Sequence, residues 1–287
     1  MKFNLAHIIP DPKMHGLYGY SEVIEVIAWG LRALGYEATV RLNVLSKQEV
    51  NIVFGAHLLP PNVLANLPSD TIIYNLEQIY SRPIETLRRS AIGAAVCNKF
   101  QVWDYSTQNI SVWEQIAPRV PAIHVPIGWA PVLSRITKPV RQDIDVLFYG
   151  VPGNERLEVF KNICDTGKSC VFVCGLYGQD RDSLIARSKI VLNINLYVQA
   201  KIFEIVRVSF LLANAKAVVA DFSEGTHVEE DVLSAVHFSS LDGIAASCVQ
   251  LLADDKRREQ MEQDGLKVIQ KRDIRIYLKS ALQARSS

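Results

Sequence analysis

Short apolar runs alternate with amphipathic stretches along the whole chain. Residues 3–9, 36–42, 50–54, 71–74, 101–105 and 122–125 are apolar runs of strand length. Between the first two, Val23, Ile24, Ile27, Leu31 and Leu34 recur at helical spacing. Ser21 is the expected N-cap of that helix, Glu22 and Glu25 lie at the positive end of its dipole, and Gly35 stops it. Residues 127–142 lose the period and carry two prolines among scattered Lys and Arg, which reads as a linker. A second series follows. Strands are expected at 146–149, 169–174, 190–194 and 217–220, with a brief one at 235–238. Helices are expected at 155–163, 181–187, 199–214, 241–252 and 255–270, and a basic one at 274–284. Strands alternating with helices call for parallel, doubly wound sheets. The expected fold class is α/β, with an N-terminal domain over 1–130, a second over 131–270, and a final helix over 271–287.

Composition narrows the class. Apolar residues make up 49% of the 287 positions, enough for two sizeable cores. The formal charge of +1 argues against a general nucleic-acid binder, so no nucleic-acid partner is expected. Cys97, Cys164, Cys170, Cys174 and Cys248 form no CxxC pair and no metal spacing, and read as reduced packing thiols. Cys170 and Cys174 would share one strand face. No leader is visible before Asn4, and no apolar run is long enough to span a membrane, so a cytoplasmic protein is expected.

The candidate chemistry concentrates in residues 189–221. Here an apolar strand passes through Asn195 into a nearly all-apolar helical run, then into a second strand closing on Asp221. Lys201, Glu204 and Arg207 are the charged residues of that run. Glu204 and Arg207 lie three apart and would share one helix face. Their bland reading is an ion pair that ties a buried helix down. A second stretch, Gly150 to Arg156 with Pro152, Gly153 and Asn154, has the strand–loop–helix form that presents backbone N–H groups to phosphate. It is neither GxGxxG nor a P-loop, and its bland reading is a tight turn with a surface arginine.

Phe203-Glu204, followed by Leu211-Leu212-Ala213-Asn214-Ala215-Lys216-Ala217 and an apolar strand ending in Asp221, resembles the donor-side signature of GT-B glycosyltransferases. Gly150 to Arg156 resembles their earlier strand-end glycine loop. The likeness is to compact bacterial members that include the CgeB-like and group 1-like proteins. It covers residues 143–270 well and the N-terminal half in outline. It implies two Rossmann-like domains facing a cleft, acceptor in the first and nucleotide-sugar donor in the second. The last helix would cross back to the N-terminal domain, as it commonly does in this fold. It implies donor contacts from Gly150, Asn154, Arg156, Asn195, Lys201, Glu204 and Arg207, with Glu204 accepting bonds from ribose or sugar hydroxyls. No DxD triplet is present, and no metal or other cofactor is expected. Many retaining members carry a second Glu eight residues before the first; here that position is Leu196, which leans toward inversion. If the small-residue turn at 215–217 sets the register instead, Phe210 falls where Glu is expected.

An inverting transfer needs a base within hydrogen-bond reach of the acceptor hydroxyl. Asp11, His15, His57 and Glu77 all follow expected strands. His15, in a Gly-bracketed loop, and Glu77, after Tyr74-Asn75, are the candidates chosen. Each also has an ordinary capping or solvated reading. His7 and His124 fall inside strands as packing residues. Trp103, Tyr105 and Trp129 are candidates to stack on a sugar or base, as well as for the core. The expected activity is metal-independent transfer of a sugar to a glycan, lipid-linked or protein acceptor. The use of lipid-linked acceptors by many such enzymes leaves room for a peripheral membrane contact. The alternative is a degenerate, nucleotide-binding scaffold. No GxSxG elbow and no GxGxxG follow the first strand, which argues against a hydrolase or dehydrogenase.

Overall fold

The computed structural model describes residues 1–79, 100–118, 122–196 and 201–286. The chain forms two compact units, Met1–Val132 with Asp273–Ser287, and Leu133–Arg272. The first holds β1 (Lys2–His7), α1 (Ser21–Ala33), β2 (Glu37–Leu42), β3 (Val50–Phe54), α2 (Pro61–Ala65), β4 (Ile72–Asn75), β5 (Gln101–Asp104), α3 (Thr107–Ile116) and β6 (Ala122–His124). Its strands pair in parallel in the order β2-β1-β3-β4-β5-β6. The second holds β7 (Ile144–Tyr149), α4 (Asn154–Cys164), β8 (Cys170–Val173), α5 (Gly178–Arg187), β9 (Ser188–Asn193), α6 (Ile205–Ala213), β10 (Ala217–Asp221), α7 (Glu230–Leu233), β11 (His237–Ser239), α8 (Ile244–Ala253) and α9 (Asp255–Gln270). Its strands are also parallel, in the order β11-β10-β9-β7-β8. Both are α/β sheets of doubly wound type.

Parallel strands covered on both faces need uninterrupted apolar runs, and the chain supplies them. Every residue of β3 and of β10 is buried. In the first unit Ala6, Val53, Ile73, Leu64 and Phe100 pack on one another, and Val102, Trp113 and Ile116 form a second cluster under α3. In the second unit Val146, Phe148, Ile190, Leu192, Val219 and Ile163 pack with Ile244 and Leu251 of α8.

The last helix, α10 (Ile274–Ser286), belongs to the first unit and lies on α1. Gly30 lets it close in: a Cβ there would stand 2.6 Å from Leu278 Cδ1. Gly128 does the same at the start of the helix, where a Cβ would stand 3.0 Å from the Ile274 Cα. Ile274, Leu278 and Ala281 are fully buried. Burial of the two larger side chains stabilises this seat by about 2 kcal/mol each.

Several local expectations are corrected. The helix expected over 199–214 begins only at Ile205, and residues 197–200 lie outside the described structure. Residues 201–203 are extended. Lys201 and Phe203 exchange backbone hydrogen bonds with His227 at 2.7 and 3.1 Å, so their apolar pattern reflects a buried extended segment. Glu204 is therefore the N-cap residue of α6, not a position on its face. Ser21 is the first helical residue, because a 3₁₀ turn, His15–Tyr20, runs directly into α1 and leaves Tyr20 at the cap. Cys164 and Cys174 are exposed and Cys170 is half-buried, so only Cys248 among the described cysteines is a core thiol; Cys97 lies outside the described residues. Cys174 also lies beyond the end of β8, so it shares no strand face with Cys170. His124 is exposed rather than packed. Trp103 and Tyr105 are buried in the core, where neither can stack on a ligand.

Candidate functional site

In open α/β sheets the crevice for ligands forms where neighbouring strands send their connections to opposite sides. In the second unit that place is the carboxyl edge of β7 and β9. Gly150 follows β7 with a φ of 148°, in the region that favours glycine. A Cβ there would lie 3.2 Å from Arg207 Nη2 and 3.5 Å from Arg156 Nη1, so two guanidinium groups converge on the bare Cα. Neither lies there by chance. Arg207 projects from α6 over the rings of Tyr149 and Phe148, at 5.3 and 5.9 Å. Arg156 projects from α4 over Phe148 at 5.2 Å.

The two arginines differ in what remains available. Arg156 is buried, and three of its hydrogen bonds go to backbone carbonyls. Nε and Nη2 donate to Ile194 O at 3.0 and 2.6 Å, and Nη1 donates to Val151 O at 2.7 Å. It braces the β7–α4 loop against the end of β9. Arg207 is half-buried, and the one polar contact it shows among the described residues is a 3.5 Å approach of Nη1 to Asn193 Oδ1. Asn193 ends β9, is fully buried, and its Nδ2 has no hydrogen-bond partner among the described residues. A buried amide N–H without a partner is costly. The half-buried Arg207 guanidinium suits an acceptor-rich, negatively charged ligand lying against Gly150. The helix α4 starts at the exposed Asn154 with no side-chain cap on its first N–H groups, and its positive end adds to the same field.

The remaining donor-side candidates lie along the same strand ends. Asn195 N donates to Asp221 Oδ1 at 2.9 Å, and burial pushes the Asp221 carboxyl above the usual carboxylate range. Lys201 Nζ is held by Ser223 Oγ at 3.0 Å and Glu224 O at 2.8 Å. Glu204 is half-buried at the start of α6 and spends no hydrogen bond on that helix's own N–H groups. Phe210, the alternative register for Glu204, is a core ring faced by Arg181 and Arg135 at 4.6 and 4.9 Å. Asn193 escaped the sequence reading, although a polar residue closing an apolar strand was the available signal.

In the first unit the corresponding place is the carboxyl edge of β1 and β3. Gly55, with a φ of 83°, turns the chain there, and a Cβ on it would meet Ile8 O at 3.0 Å. Gly55 lines a narrow recess, too tight to admit water, together with Tyr20, His57, Asn75 and Glu77, among others. The Tyr20 hydroxyl donates to Glu77 Oε1. Asp11 is exposed and accepts from Lys13 N at 2.9 Å, a local turn contact. His7 is buried with Nε2 2.9 Å from Leu17 O, and burial lowers its pKa. His15 lies in the 3₁₀ turn, and its side chain is outside the described structure. Glu77 lines that recess.

Among the described residues no group of three His, Cys, Asp or Glu side chains is gathered as a metal site, and no helix is long and apolar enough to cross a membrane.

No family model matches the chain. An uncharacterized protein of Acanthamoeba polyphaga mimivirus is 22% identical over 262 residues, covering 88% of this chain and 87% of that protein. Among solved structures, Anabaena HepE in complex with UDP and glucose aligns over the full length of both chains with a TM-score of 0.64 and 12% identity. An α-glucosyltransferase bound to UDP and a 13-mer DNA aligns over both full chains at 0.64 and 8%. AviGT4, a glycosyltransferase involved in avilamycin A biosynthesis, aligns over 99% of this chain and 97% of its own at 0.55 and 17%. The chain has the fold of the GT-B glycosyltransferases.

Proposed function

We propose that this chain is a glycosyltransferase that moves a sugar from a nucleotide-sugar donor, held at the β7/β9 edge of the second unit, to a hydroxyl acceptor. The observation that carries the reading is the half-buried Arg207 guanidinium held over Tyr149 and Phe148 beside Gly150. Breaking the anomeric C–O bond leaves negative charge on a diphosphate. A cation already held on Tyr149 and Phe148, beside a helix N-terminus, stabilises that charge without reorganising. Asn154, Asn195 and Lys201 extend the donor site, and Glu204 is assigned to donor hydroxyls. Arg156 shapes the loop. Charge stabilisation by side chains makes the reaction metal-independent. Glu77 takes the acceptor proton, which supports inversion. The acceptor is a glycan, a lipid-linked saccharide or a protein hydroxyl.

UDP is the first nucleotide to test, because solved neighbours of the same fold hold it. Thermal unfolding is followed with UDP, GDP, ADP, dTDP and CMP in EDTA. A ligand at 100 times its Kd adds about 2.7 kcal/mol to apparent stability. The expected result is a selective rise with UDP that Arg207→Ala reduces by about tenfold or more in affinity. A silent panel at millimolar ligand, with and without Mg²⁺, overturns the reading. Binding without turnover of any donor favours a degenerate scaffold instead.

A further inference from the structure

The Glu77 recess is held by a carboxylate that does not reach it. Asp104, the last residue of β5, is fully buried and accepts four hydrogen bonds. Trp113 Nε1 and Asn75 Nδ2 donate to Oδ2, each at 2.7 Å. Ser106 N and Asn109 Nδ2 donate to Oδ1 at 2.9 and 3.0 Å. Every partner is a donor, and the ionised carboxylate, the form that prevails above about pH 7, can only accept. Both asparagine amides must therefore turn their nitrogens toward Asp104 and their oxygens away from it.

Those oxygens are where the Glu77 loop is tied. Asn75 Oδ1 accepts from Glu77 N at 3.2 Å, and Asn109 Oδ1 accepts from Ile79 N at 3.0 Å. The two amide nitrogens also donate to Glu77 O, at 2.9 and 2.8 Å. The peptide groups on both sides of Glu77 are thus held by amides whose orientation Asp104 dictates. From that fixed backbone the Glu77 carboxylate accepts from the Tyr20 hydroxyl.

We propose that Asp104 is the positioning residue for Glu77: it orients the Asn75 and Asn109 amides, which aim the Glu77 carboxylate into the recess. The proposal rests on the reading of Glu77 as the base that deprotonates the acceptor. An Asp104→Asn substitution separates the two ideas. The new amide places an NH₂ where two donors point. Asn75 or Asn109 must then flip, and a flip sets its own NH₂ against the N–H of Glu77 or Ile79.

The test uses the full chain at about pH 8, above the titration of Asp104. Backbone amide exchange over residues 75–79 is compared in the wild type, Asp104→Asn and Glu77→Gln, alongside UDP affinity and the hydrolysis of UDP-glucose with water as acceptor. Asp104→Asn is expected to speed exchange at Glu77 or Ile79 by about tenfold or more, with UDP affinity unchanged. Its kcat is expected to fall by about tenfold with KM for UDP-glucose unchanged, and Glu77→Gln to cost about 10²-fold or more. Unchanged exchange and unchanged kcat in a folded Asp104→Asn, with Glu77→Gln inactive, overturn the positioning role alone. Full activity in Glu77→Gln overturns the base reading, while faster exchange in Asp104→Asn still supports the clamp. If Asp104→Asn does not fold, Asn109→Ala removes one clamp and is held to the same two readouts; unchanged exchange at Ile79 then counts against the proposal.

Discussion

Asp104 carries opposing physics on one side chain. Four donors favour its anion, and near-complete burial disfavours it more strongly, so its pKa is pushed up from 3.8 to about 7. Between about pH 4 and pH 7 the folded chain therefore keeps a proton that the unfolded chain has already released, and the acceptor-only anion prevails above about pH 7. Stability from this group is present in full below about pH 4 and is lost as pH rises to about 7. The wild type should lose stability on the order of a few kcal/mol across that interval relative to Asp104→Asn, which does not titrate. Chemical denaturation of both proteins at pH 5 and pH 8 measures the difference; parallel curves would remove Asp104 as its source. None of this was legible beforehand. Asp104 ends an apolar run and looks like any strand-terminal polar residue. Three of its partners, Ser106, Asn109 and Trp113, follow it closely in the chain, but Asn75 comes from β4, 29 residues before it, and only the β4–β5 pairing brings it there. Glu77 was singled out from the sequence as a carboxylate two residues past the strand that ends at Asn75.

At the scale of elements, apolar runs located every described strand, whereas the helices Pro61–Ala65, Thr107–Ile116 and Glu230–Leu233 were not expected and one expected helix began too early. Residues 201–203 continue the apolar pattern of α6 but are extended, since their backbone bonds go to His227. A run of buried residues looks alike whether a helix or a sheet-like segment buries it. The seat of α10 is a separate matter of shape. Gly128 and Gly30 remove the side chains that would hold the helix off α1. Gly128→Val should drive a branched side chain into the Ile274 backbone and destabilise the first unit by about 1–3 kcal/mol. Limited proteolysis is expected to cut α10 first in this variant. Protection equal to that of the wild type would show that the contact relaxes.

At the scale of the molecule, the two units need not unfold together. All four tryptophans, Trp29, Trp103, Trp113 and Trp129, lie in the first unit, so their fluorescence reports that unit alone, whereas far-UV circular dichroism reports both. Deleting residues 273–287 removes the buried Ile274, Leu278 and Ala281 and the bond from Arg285 Nη2 to Asp70 O. The tryptophan transition should fall by several degrees, while a later circular dichroism transition stays in place. Coincident shifts by both probes would mean that the units unfold as one. The strands, the helices and the two successive βα series follow from periodicity and turn chemistry, which are local and survive without a fold. Strand order does not. It sets the adjacency of β7 to β9, and so the meeting of Gly150, Asn193 and Arg207. It also separates a committed Arg156 from an available Arg207, a distinction that charge and spacing alone could not draw. Such features arise from contacts between residues far apart in the chain, and only the closing of the sheets creates them.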